Sequence, residues 1–148
     1  MTKNDFASPA ATATSVPAYK LNGLGAIAVA TFFGSSLAGA WLMAENCKAL
    51  GQRNQLKKVW GVGAGLLFAL LPLGLALPDS MLSTVCAVGQ TVAMLVLAKQ
   101  GFGTALAEHG ASGGMEFSIL RAAGIGFLFW LVLVAVVDVI ILMTVPLG

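Results

Sequence analysis

The chain has 148 residues, of which 58% are hydrophobic and 9% charged, with a mean hydropathy of +0.91 and a net charge of +2. A soluble domain of this size needs more polar surface than that to cover its core, and the small net charge gives nucleic acid no basic groove. Length allows one domain, and two isolated cysteines, Cys47 and Cys86, form neither a disulfide framework nor a metal site.

Residues 1–20 are polar and rich in Ala, Ser, Thr and Pro, a composition read as a flexible tail. Residues 21–44 then run for 24 positions without a charge. A bilayer core about 30 Å thick takes about 20 helical residues to cross, so this run is read as a first span. Within it Leu37-Ala38-Gly39-Ala40 has the small-residue spacing of a signal-peptidase site. The run continues through Trp41-Leu42-Met43, so the segment is read as uncleaved. Its small residues have another use. Ala26, Ala30, Gly34 and Ala38 recur every four positions, with Gly39 in the adjacent row, and form a flat face on which a second helix backbone can pack.

Lys48, Arg53, Lys57 and Lys58 follow, and then two further uncharged runs, 59–78 and 80–98. The second run offers Gly61 and Gly65 as its packing row and carries Pro72, which is expected to bend it. The link around Pro78 and Asp79 is long enough only for a tight hairpin. Lys99 and Arg121 bracket a polar stretch in which the third helix continues to a stop at Gly110. A fourth span is expected over 119–146. Residues 21–148 thus read as an all-α, integral membrane four-helix bundle. The excess of Lys and Arg between spans one and two and after span three sets those links in the cytoplasm and both termini in the periplasm. Lys20, abutting the first span, opposes that orientation.

Motifs for chemistry are few. Gly110-Ala111-Ser112-Gly113-Gly114 matches the G-x-S-x-G string beside His109, but that serine needs a strand-to-helix turn and a distant histidine and acid. No catalytic, cofactor or metal residues are expected. Two polar residues fall within the runs, Gln90 in the third and Asp138 in the fourth. A carboxylate at the centre of a bilayer costs about 2.5–3.5 kcal/mol. Asp138 is therefore expected to be tied to a donor, and Lys20 and Asn22 are the candidates, since the start of span one and the end of span four of a four-span bundle share a membrane face.

The string Phe32-Phe33-Gly34-Ser35-Ser36-Leu37-Ala38-Gly39-Ala40, with Asn46, Leu50 and Gly51 after it, resembles a family of small uncharacterised bacterial four-span inner-membrane proteins. Their pattern is F-x-G-x-x-L-A-G followed by N-x-x-x-L-G. Similar features recur at His109-Gly110, Gly113-Gly114, Ser118 and Gly124-Ile125-Gly126, while Ser36 and Cys47 depart from it. The resemblance implies a multi-pass protein of the bacterial inner membrane and no activity. The expected partners are the lipid bilayer and a protein partner or a second copy of the chain, without nucleic acid. The expected function is a non-enzymatic accessory or immunity-type, partner-binding role. The alternative is a small transporter or channel subunit using Asp138 and Gln90.

Overall fold

A computed structural model describes residues 16–76 and 80–144, all of whose regular structure is helical. The elements are α1 (Leu24–Gly34), α2 (Ser36–Ala49), a single 3-10 turn (Arg53–Gln55), α3 (Leu56–Ala76), α4 (Ser80–Ala111) and α5 (Ile119–Thr144). Residues 1–15 of the expected tail and Pro78 and Asp79 of the expected hairpin link lie outside the described residues. Two described stretches, Thr84–Ala111 and Ile119–Thr144, are long and apolar enough to cross a membrane.

The first apolar run is not one helix. It breaks at Ser35, whose φ of 92° and ψ of 170° place it in a region normally left to glycine. There the chain reverses, and α1 and α2 lie against each other as a helical hairpin. Asn22, before α1, consequently meets Asn46, near the end of α2: the Asn22 N–H donates to Asn46 Oδ1 at 2.8 Å, and Asn46 Nδ2 donates to the Asn22 carbonyl at 2.8 Å. In a straight helix these two residues would stand about 36 Å apart. The close approach rests on Gly39, since a Cβ there would strike the Thr31 hydroxyl. That hydroxyl is itself satisfied by the Ile27 carbonyl at 2.8 Å.

The hairpin is the centre of the molecule. α1 packs on α5 and α4, and α2 packs on α3. Ala26, Ala30 and Gly34 form the α1 face turned to α5, where a Cβ on Gly34 would collide with the backbone of Gly126 and one on Gly126 would lie 3.0 Å from the Ala30 carbonyl oxygen. On α3 the sequence expectation is corrected. Gly61 and Gly65 are exposed with nothing near them, and it is Gly63 that meets α2, a Cβ there falling 2.6 Å from Ala40 Cβ and 3.1 Å from the Ser36 carbonyl oxygen. The Ser36 hydroxyl fixes that choice by donating to the Gly63 carbonyl at 2.7 Å. Two residues along a helix turn the side chain to nearly the opposite side, so glycines at 61, 63 and 65 offer two faces and only one is used.

α4 ends later than expected. The Gly113 N–H donates to the Gly110 carbonyl at 3.0 Å and the Gly114 N–H to the His109 carbonyl at 2.8 Å, with Gly113 at φ 73°. This is a Schellman stop built on Gly113 rather than Gly110. The core lies around the base of the hairpin, where Leu21, Ile27, Leu42, Met43, Val59 and Phe102 are fully buried.

Candidate functional site

Polar side chains gather at the hairpin base. Arg121, in the first turn of α5, donates through Nη1 to Asn22 Oδ1 at 3.2 Å and through Nη2 to both Glu45 oxygens at 2.8 and 3.1 Å. Its guanidinium also lies over the Phe117 ring, 4.0 Å from the centroid. Asn22 Nδ2 donates to Leu42 O and to Glu45 Oε2. A short strap seals the cluster: Leu21 N–H donates to Met115 O, and Phe117 N–H to Leu21 O. Every polar atom of Asn22 is used within the chain, so this cluster is a clasp rather than an open site.

His109 belongs to the same end. It is buried, its Nε2 is 3.0 Å from the Met115 carbonyl, and Tyr19 stacks on its ring with centroids 5.1 Å apart. Since a carbonyl only accepts, Nε2 carries the proton. The Ser112 hydroxyl turns back to the Glu108 carbonyl and not to His109. The G-x-S-x-G string therefore builds no nucleophile–base pair. Cys47, at the foot of α2, is fully buried, and burial pushes its thiol up from the ordinary value. Among the described residues no group of three potential metal ligands forms.

The expected tie between Asp138 and the start of the first run is overturned. Leu21 and Asn22 sit beside Glu116 and Arg121, at the beginning of α5. Asp138 lies about 26 Å farther along that helix, counted from Arg121. The fold-back at Ser35 is the reason, because it returns the chain to the end from which it set out. Nor does the structure bring Gln90 and Asp138 together. They stand on α4 and α5, and among the described residues no Cα of one helix comes within 8 Å of the other.

What remains open is α5 itself. α1 reaches only to the level of Gly126, and beyond it Phe127, Leu128, Trp130, Val132, Val136, Val139 and Ile140 are exposed. One side of this stretch carries a shallow apolar recess of about 280 Å³ lined by Trp130, Leu133, Val134, Val137 and Asp138. These positions follow helical spacing, so they form one continuous seam. Asp138 closes the seam's outer end with a carboxyl that has no hydrogen-bond or ion-pair partner among the described residues. Sequence reasoning singled out the acid but missed the seam, because an apolar stretch hydrophobic on all sides does not reveal which side its neighbours leave free. No protein-family model, curated protein or solved structure matches the chain, so the α5 seam and the hairpin carry the functional reading.

Proposed function

We propose that this is a small non-enzymatic protein of the bacterial inner membrane that acts by binding a helical partner within the bilayer, in an accessory or immunity-type role, with the outer half of α5 as its docking element. The observation that carries this reading is the α5 seam, an apolar groove at helix-packing spacing that ends in an unpaired carboxyl. A partner helix that fills it and sets a hydroxyl, amide or cationic group opposite Asp138 would satisfy both features. In lipid, such polar contacts and close packing are what hold helices together.

The membrane reading draws support from the distribution of charge. Lys20, Lys48, Arg53, Lys57, Lys58 and Arg121 all flank the ends of helices that meet at the hairpin base. Lys99 belongs with them, since it lines one groove with Leu24, at the foot of α1. Once the first run folds back, Lys20 no longer opposes the others. In this reading that end faces the cytoplasm, α3, α4 and α5 cross, and α1–α2 is a re-entrant hairpin about 18 Å deep, tipped near mid-membrane at Ser35. The end of α5 then faces the periplasm while Lys20 is cytoplasmic. Irregular backbone at that depth is tolerated where protein buries it, and Gly34 and Ser36 are buried.

The test is a photo-crosslinking residue placed in turn at Val134, Val137 and Phe68 in intact membranes. Adducts of one discrete mass from positions 134 and 137, lost in Asp138→Leu and absent from the exposed α3 position 68, are expected. Lipid adducts alone at all three positions would end the proposal.

A further inference from the structure

A second groove lies between α1 and α4. Leu24, Gly25 and Ala28 form one wall, Val92, Leu95 and Val96 the other, and the space is about 410 Å³. On the α1 wall Gly25 and Ala28 leave room beside Leu24, and a Cβ on Gly25 would have nothing within 4 Å. The lining is apolar along its length except at the inner end, where Lys99 closes it. Lys99 has no carboxylate partner among the described residues, and Lys20 precedes the foot of α1 at the same end.

We infer that this groove holds one chain of an anionic phospholipid, with the lipid phosphate on the Lys99 ammonium. The α4 wall from Val92 to Lys99 runs about 10 Å along the helix, enough for a segment of one acyl chain below its headgroup. The cation stands at the end where the basic residues gather, which is where a headgroup of the inner leaflet would sit. A neutral lipid would fill the same walls but leave Lys99 without its counter-charge. The inference rests on the membrane reading above, though not on the partner or on α5.

The experiment is native mass spectrometry of the detergent-solubilised full chain with phosphatidylglycerol and, separately, phosphatidylcholine of identical chains. Phosphatidylglycerol should be retained more strongly by the unaltered protein. Lys99→Gln should cut that preference about five-fold, the weight of one basic residue at a charged lipid surface. Gly25→Leu, which fills the groove, should reduce retention of both lipids, while Lys57→Gln should change neither. Equal retention of the two lipids, or losses from Lys57→Gln as large as from Lys99→Gln, would overturn the assignment. Recovery of the protein in the soluble fraction of cells would instead overturn the membrane reading itself, and circular dichroism of each variant separates a lost site from a lost fold.

Discussion

At the level of single residues, the hairpin depends on one strained backbone and one reciprocal amide pair. Ser35 holds a φ of 92° that costs a non-glycine residue about 1–3 kcal/mol. Ser35→Gly should therefore stabilise the protein by about 1 kcal/mol once the extra freedom of glycine in the unfolded chain is offset, read as a higher midpoint of thermal unfolding in detergent. A lower midpoint would mean that the serine side chain contributes something its contacts do not show. Asn46 is fully buried and serves both the N–H and the carbonyl of Asn22. Asn46→Leu strands those two groups and should cost about 3 kcal/mol. In the Arg121–Glu45 pair one guanidinium nitrogen, Nη2, serves both carboxylate oxygens, and the pair is about a third exposed on each side. A double-mutant cycle on it should give no more than about 1 kcal/mol, falling as salt is raised.

Among the elements, the consequence of the fold-back is topological. If α1 and α2 return to one face, a cysteine at position 20 and one at position 57 must respond alike to a membrane-impermeant thiol reagent, while one at position 142 responds oppositely. In a background lacking Cys47 and Cys86, intact cells should leave 20 and 57 unlabelled and label 142. Opposite behaviour of 20 and 57 would restore a straight first span. The element most legible in the sequence was α5, whose helix over Ile119–Thr144 lies within the 119–146 expected from its apolar run. The hairpin was not legible. It turns on one residue, with no Pro or Gly at position 35 to mark it, and the four-residue rhythm of Ala26, Ala30, Gly34 and Ala38 carries straight through the break. The signals that could have exposed it are weaker: paired asparagines at 22 and 46, and three poor helix formers, Gly34-Ser35-Ser36, midway between them.

On the scale of the whole molecule, burial is concentrated at the base and α5 rises beyond it. Asp138 plays no part in that core, so Asp138→Leu should leave the thermal stability of the isolated chain unchanged or slightly raised. This is the reverse of the loss expected had it tied α5 to Asn22. The same substitution should abolish the crosslinked adduct from position 134. A fall in the unfolding midpoint of more than about 1 kcal/mol equivalent, the worth of one net hydrogen bond, would show that the carboxyl has a structural partner after all.

From its sequence alone the chain could be read as helical, apolar beyond what a soluble domain sustains, and basic in the segments that interrupt its apolar runs. Those properties follow from composition and period, which act locally and survive any arrangement of the helices. The tertiary structure decided that the first run doubles back, that Gly63 rather than Gly61 or Gly65 meets α2, and that Asn22 answers to Asn46, Glu45 and Arg121 instead of Asp138. Each is a choice among faces or directions that the local sequence leaves nearly equal. It is settled only where a buried amide or hydroxyl finds its one available partner across the bundle, since in the interior an unpaired polar group costs more than any local preference supplies.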